Sequence, residues 1–268
     1  MHRILLHLGP VTVYSYGFML ALAFVLGTAL AQWRARRKGI DPNKITDLVF
    51  SIMVSSIIGA RLFFVAVNWQ YYRTNPFDIF KVWEGGLVFY GGFILAFFVA
   101  VWSMRKNALP VWKVADIMSP SVALGIALGR FGCFLNGCCY GIISNRWGMA
   151  FPCRDNPPVF AQQAADGLIS PSSLCSLPVL PTQLYSVFHG LMIFAALMFL
   201  ERYKRFDGFQ FWVLVLLYGA GRFFIESIRY YEKAYMVGFL TVSQVISACL
   251  FIIAMAVLIV RSKYAGSK

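Results

Sequence analysis

The sequence predicts an all-α polytopic membrane protein, and three observations carry that prediction. The 268 residues are 59% hydrophobic and only 13% charged, with a mean hydropathy of +0.68, more apolar than a soluble chain of this length needs to fill one core. The apolar residues fall in long unbroken runs near the roughly 20 residues that a helix needs to cross a bilayer, not in the short alternating segments of a strand barrel. The basic residues, finally, cluster in alternate connections, as they do when one face of a membrane protein is cytoplasmic.

Seven spans follow in order: Val11 to Gln32, Asp47 to Asn68, Leu87 to Met104, Val114 to Cys133, Leu184 to Glu201, Phe209 to Phe224 and Thr241 to Val260. Arg34, Arg36, Arg37, Lys38 and Lys44 lie between the first and second, and Arg105, Lys106 and Lys113 between the third and fourth. Arg202, Lys204 and Arg205 lie between the fifth and sixth, and Arg261, Lys263 and Lys268 after the seventh, so more than half of the 24 Lys and Arg share one face. That face is expected to be cytoplasmic, with the N-terminus outside and the C-terminus inside. The net charge of +13 then reads as topology and as attraction to anionic headgroups, with no nucleic-acid partner expected. No basic stretch and small-residue cleavage site precedes the first span, so a removed signal peptide is not expected. Without internal repeats or low-complexity linkers, residues 1–268 are expected to be one membrane domain.

Along the chain, Tyr14, Tyr16 and Gly17 open the first span, where aromatic side chains anchor at an interface. Arg61 follows Gly59-Ala60 within the second span; Asp47 and Glu84 are the acids available to pair with it. Glu84-Gly85-Gly86-Leu87-Val88-Phe89-Tyr90-Gly91-Gly92 brackets a phenol with two glycine pairs. Each glycine costs a helix up to about 1 kcal/mol relative to alanine, so this is either a broken segment facing a cavity or a close helix contact through small residues.

The central stretch is Gly129-Arg130-Phe131-Gly132-Cys133-Phe134-Leu135-Asn136-Gly137-Cys138-Cys139-Tyr140-Gly141, which follows an apolar run. A guanidinium there costs several kcal/mol unless it meets an anion or a water-filled cavity. Four glycines around it allow backbone N–H groups to approach a ligand, and a phosphate suits such a concavity. From about 142 to 181 the composition turns polar, giving an arm outside the membrane that ends in Pro181-Thr182-Gln183-Leu184-Tyr185. Span six closes on Tyr218-Gly219-Ala220-Gly221-Arg222-Phe223-Phe224-Ile225-Glu226-Ser227-Ile228-Arg229, where Arg222, Glu226 and Arg229 share one helical face, as the wall of a polar cavity would require.

Cys133, Cys138 and Cys139 raise a metal or thiol-redox site, but adjacent cysteines rarely chelate one zinc and no histidine is near, so small residues filling a tight turn is the expectation and no metal is assigned. Cys153 and Cys175, both in the arm, can form a disulfide in an oxidising compartment. His2, His7 and His189 fall in no glycine motif, so no histidine triad and no cofactor are expected.

Taken together, Tyr14-Ser15-Tyr16-Gly17, Gly59-Ala60-Arg61, the Glu84 to Gly92 motif, Gly129 to Gly137, Pro181 to Tyr185 and Tyr218 to Glu226 resemble, in this order and over the whole chain, the prolipoprotein diacylglyceryl transferase family. The resemblance implies seven spans in the bacterial inner membrane, an outward N-terminus and a periplasmic arm. It implies transfer of the diacylglyceryl group from phosphatidylglycerol to the lipobox cysteine of a prolipoprotein signal peptide, with release of glycerol phosphate. Arg130 then corresponds to the arginine that binds phosphatidylglycerol and Arg222 to a second essential arginine, while Tyr16, Asn136 and Gly141 fall on important motif positions. Glu226 joins Arg130, Asn136 and Gly141 around the headgroup. The chain departs from well-studied members in having Tyr90 for a histidine, Cys133 for an asparagine, Cys138 for an acid of some members, and Leu180 for a histidine. A phenol with a pKa of about 10 is a weak base unless arginines lower it. The other readings are a transporter or flippase for anionic lipid headgroups, which buried arginines and broken helices also suit, and a thiol-redox protein, which lacks a Cys-x-x-Cys pair.

Overall fold

In a computed structural model describing residues 3–8, 11–81, 85–230 and 236–266, the chain is helical with two small hairpins. The order is β1 (Ile4–Leu8), β2 (Val11–Tyr14), α1 (Ser15–Arg37), α2 (Pro42–Val67), α3 (Trp69–Tyr72), α4 (Phe89–Lys106), α5 (Val111–Asn136), α6 (Pro158–Ala165), α7 (Thr182–Leu200), α8 (Phe209–Ser227), β3 (Met236–Val237), β4 (Leu240–Thr241) and α9 (Val242–Gly266). Six of these, α1, α2, α5, α7, α8 and α9, are long and apolar enough to cross a membrane. Large apolar side chains such as Phe50, Phe93, Phe97, Phe188 and Ile252 stand exposed along the helices, a surface that lipid tolerates and water does not.

Helix ends depart from the apolar runs where local chemistry decides. Val11 to Tyr14 is strand, not the start of the first span; its β-branched and aromatic residues pair antiparallel with β1, and the helix begins at Ser15. The α2 helix starts at Pro42, ahead of the expected Asp47, because the Asp41 carboxylate accepts from the Asn43 amide at 2.9 Å and proline suits the first helical position. Ahead of α9, the Thr241 hydroxyl accepts from the Gln244 amide at 3.1 Å and the Gln244 side chain accepts from the Thr241 amide at 2.9 Å, a reciprocal capping box. Arg34, Arg36 and Arg37 lie in the last turn of α1 rather than in a loop, where cations complement the helix dipole.

The described residues group into two compact units. In the unit Thr28–Val114, α2 and α4 meet through glycines: a Cβ on Gly59 would lie 2.5 Å from the Gly91 carbonyl oxygen, and one on Gly92 would lie 2.7 Å from the Ser56 carbonyl oxygen. Of the two readings of the glycine pairs, close helix packing therefore accounts for Gly91-Gly92, within a continuous α4. Gly85 and Gly86 take left-handed φ values of 92° and 73° in the approach to it. Arg61 pairs with neither Asp47 nor, among the described residues, any other acid as its main partner, and Glu84 lies outside those residues. Its guanidinium is spent on backbone carbonyls, Ile79 at 2.9 Å, Asp78 at 2.5 Å, Gly85 at 2.7 Å and Gly86 at 3.2 Å. Buried carbonyls need donors, and a guanidinium has five.

In the unit Met1–Gly27 with Ala115–Lys268, Ala123, Ile193, Leu197, Val213 and Leu214 form a core shared by α5, α7 and α8. Buried Asp116 of α5 caps α8 at long range, accepting from the amides of Gly208 (2.8 Å) and Phe211 (3.1 Å) and pairing with Lys204 at 3.0 Å. The polar arm is an ordered cap with its own small core of Phe151, Val159 and Val179, closed by Tyr140 and Phe134. Cys153 and Cys175, which could have formed a disulfide there, are both free thiols. The isolated bridge pairs Cys175 with Pro152, so Cys153 sits one residue out of register.

Candidate functional site

The site is built where α5 ends. Gly137, at φ 73°, stops the helix: its amide donates to the Phe134 carbonyl and the Cys138 amide donates to the Cys133 carbonyl, each at 3.2 Å. This pair of bonds is a Schellman turn, in which the residue after the glycine folds back over the residue five before it. Here those residues are Cys138 and Cys133. Cys139 is itself left-handed, at φ 61°, and brings a third sulfur, so that all three sulfur atoms lie within 4.8 Å of one another. The Asn136 side chain lies against the Cys138 thiol. Hydrogen bonds from the Cys133 and Cys138 thiols, with the Arg229 and Arg130 guanidinium groups nearby, hold the Cys139 thiol well below the usual thiol range.

Two side chains of α7 fix this loop. Gln183, fully buried, donates to the Cys138 carbonyl at 2.8 Å, and Thr182 donates to the Cys139 carbonyl at 2.9 Å. Past the loop, the Gly141 amide donates to the Leu180 carbonyl (2.9 Å) and the Tyr230 amide donates to the Tyr140 carbonyl (3.2 Å). The loop is thus bound to α7 on one side and to the segment after α8 on the other.

The charges come from α5 and α8. Arg130 faces the Tyr218 hydroxyl, Cys139 and Cys133. On α8, Tyr218, Arg222 and Glu226 recur every four residues on one face. Arg222 pairs with the fully buried Glu226 carboxylate at 2.7 Å, and Arg229 approaches the same oxygen at 3.8 Å. Arg222 also donates to the Ser243 hydroxyl at 3.2 Å. Arg222 and Arg229 thus share the Glu226 carboxylate, while Arg229 and Arg130 both lie near the Cys139 thiol. Tyr16, in the first turn of α1, faces Arg130 and the three thiols. Gly132 makes room for it: a Cβ there would lie 3.2 Å from the Tyr16 ring.

The family model for prolipoprotein diacylglyceryl transferase matches residues 3–260. Proteins named phosphatidylglycerol–prolipoprotein diacylglyceryl transferase are similar over nearly the whole chain. The one from Lactiplantibacillus plantarum is 32% identical over 97% of this chain and 89% of its own length. Those from Geobacillus kaustophilus and a Wolbachia of Drosophila simulans are each 33% identical, covering 97% and 96% of this chain and 92% and 94% of their own lengths. The chain belongs to the prolipoprotein diacylglyceryl transferase family.

Within this diacylglyceryl transferase, Tyr16, Arg130, Asn136, Arg222 and Glu226 come together in the unit Met1–Gly27 with Ala115–Lys268. Gly141 is there too, in a different capacity from the one its glycine suggests. A Cβ on it would lie 2.7 Å from the Ile228 carbonyl oxygen and 2.8 Å from both Leu180 and Thr182. It is a close-packing glycine, and its amide is engaged. The expected nest of free glycine amides is absent for the same reason, since the Gly137 amide closes the turn and Gly129 and Gly132 lie inside α5. Tyr90 belongs to the unit Thr28–Val114, in the first turn of α4, and is 58% exposed. One contributor went unread: Tyr218 carried a signal in its four-residue period with Arg222 and Glu226. The convergence of the thiols was signalled by the glycine that follows Asn136.

Proposed function

We propose that this chain transfers the diacylglyceryl group of phosphatidylglycerol to the thiol of a lipobox cysteine in a bacterial prolipoprotein, releasing glycerol phosphate. It does so as a multi-pass protein of the inner membrane, acting as a single transferase domain. In this reading α4 is the seventh span, the N-terminus and the arm are outside, and the basic helix ends are cytoplasmic. The observation that carries the reading is the cluster in which Arg222 and Arg229 share buried Glu226 while Arg130 and Arg229 flank Cys139, an arrangement that suits a phosphate.

The reaction makes that demand intelligible. The acceptor sulfur, having lost its proton, forms a bond to the terminal glyceryl carbon. The carbon–oxygen bond to phosphate breaks, and its electron pair leaves as negative charge on the departing glycerol phosphate. Fixed guanidinium groups, desolvated and preorganised, stabilise charge that grows in the transition state. Arg130 and Arg222 take the phosphate, with Glu226 holding Arg222 in place. Asn136 and Tyr16 border the headgroup, and Gly141 lets the loop close against α7. Tyr90 is assigned a positioning role by its place in the glycine-bracketed motif alone; the acceptor thiol, with an unperturbed pKa of about 8.5, is already a few per cent thiolate at neutral pH. An apolar groove of about 290 Å³ between α8 and α9, lined by Gly219, Phe223, Phe251 and Ile252, suits an acyl chain.

The purified chain, mixed with phosphatidylglycerol and a lipobox peptide, is expected to yield a thioether-lipidated peptide and glycerol phosphate in equal amounts. Movement of the lipid between leaflets with neither product formed would overturn the assignment.

A further inference from the structure

Cys133, Cys138 and Cys139 are not accounted for by the transfer reaction, and a core-filling role does not suit them. All three thiols are only partly buried, and all three sulfurs lie within 4.8 Å of one another. Tetrahedral thiolate coordination, with metal–sulfur bonds of about 2.3 Å, sets sulfurs roughly 3.8 Å apart. Adjacent cysteines usually point apart, which is why the spacing alone argues against chelation. Here the Schellman turn lays Cys138 over Cys133, and the left-handed backbone of Cys139 turns its side chain to the same side.

We propose that these three cysteines form a binding site for a soft divalent cation of the zinc and cadmium type. The loop needs little rearrangement to bind, because Gln183 and Thr182 hold the carbonyls of Cys138 and Cys139. The Asn136 side chain, beside Cys138, is placed to support a ligand sulfur from behind. No further His, Cys, Asp or Glu joins the group among the described residues, so the fourth position falls to water or a small anion. Three thiolates and one divalent ion make a complex of net charge −1, which the Arg130 and Arg229 guanidinium groups beside Cys139 offset.

Binding stands apart from the transfer reaction proposed above. The full-length chain in detergent, reduced and freed of metal, is titrated with cadmium while the thiolate-to-metal charge-transfer absorbance is followed and bound cadmium per chain is counted. One equivalent is expected, with affinity at least tenfold weaker in Cys138→Ser and in Cys139→Ser and unchanged in Cys249→Ser. A wild-type chain without the band, or a band that survives in the Cys138→Ser/Cys139→Ser double variant, overturns the site. A full cadmium band in a chain without transferase activity refutes the proposed function and leaves the metal site standing.

Discussion

Replacing Glu226 by Gln tests the charge architecture at its hinge. The carboxylate is fully buried, while its partners Arg222 and Arg229 keep side-chain exposures of 14% and 15%. Removing one member of a buried pair costs about 3–5 kcal/mol when the other is left wholly buried. Partial exposure of both arginines and the bond from Arg222 to Ser243 reduce that to roughly 2–3 kcal/mol. At about 2–4 °C per kcal/mol for a chain of this size, the melting temperature in a zwitterionic detergent should fall on the order of 5–10 °C. With the carboxylate neutralised, Arg222 and Arg229 should also bind an anionic headgroup more eagerly, so added phosphatidylglycerol should recover more of the lost stability in the variant than it adds to the wild type. Arg222→Gln combined with Glu226→Gln should cost less than the two single changes together. The assay is thermal unfolding with and without phosphatidylglycerol. A Glu226→Gln protein that melts with the wild type, and responds to lipid no differently, would refute the reasoning.

Three further changes probe the parts that hold the cluster. Gln183→Leu removes the donor to the Cys138 carbonyl, worth about 1–2 kcal/mol, so peptide transfer should drop roughly tenfold at unchanged membrane abundance; a change under twofold would mean that the loop stands without it. Gly221→Ala drives a methyl into the His189 ring, which donates from Nε2 to the Leu217 carbonyl at 3.1 Å and stacks on Tyr218. Overpacking of about 1–3 kcal/mol should lower thermal stability and, through Tyr218 and Arg130, activity as well; a fully stable and active variant would dismiss His189 as a support. Tyr90→Phe should slow transfer about five- to thirtyfold if the hydroxyl only positions, whereas a loss of several hundredfold or more would indicate acid–base chemistry there.

The spans were legible because a lipid-facing helix must be apolar over its whole length, and α5, α7, α8 and α9 lie close to their apolar runs. What hydropathy cannot mark is a helix end set by a polar cap. The Asp41 cap and the Thr241–Gln244 box were both written in the residues, yet the first lies ahead of its apolar run and the second is absorbed into the start of one. The β1–β2 hairpin was hidden for the opposite reason, since Val11 to Tyr14 is as apolar as the helix that it leads into. At the site, Arg222, Glu226 and Arg229 were found by helical period alone. Arg61 illustrates where that logic fails: a buried cation asks for negative partners, and local sequence cannot distinguish a carboxylate from four carbonyls of a distant loop. The thiol cluster depends on backbone handedness at Gly137 and Cys139, of which only the glycine carries a sequence signal.

The central claim, that the guanidinium cluster stabilises the leaving phosphate, is tested most directly at Arg130 by single-turnover transfer with phosphatidylglycerol and lipobox peptide both saturating. Arg130→Gln should insert and accumulate normally but lose about 100- to 1,000-fold or more in the transfer step, the usual cost of deleting one preorganised donor to a developing anion. Arg130→Lys should regain only part of it, because an ammonium cannot make the planar two-point contact. Near-normal transfer by Arg130→Gln would contradict the account.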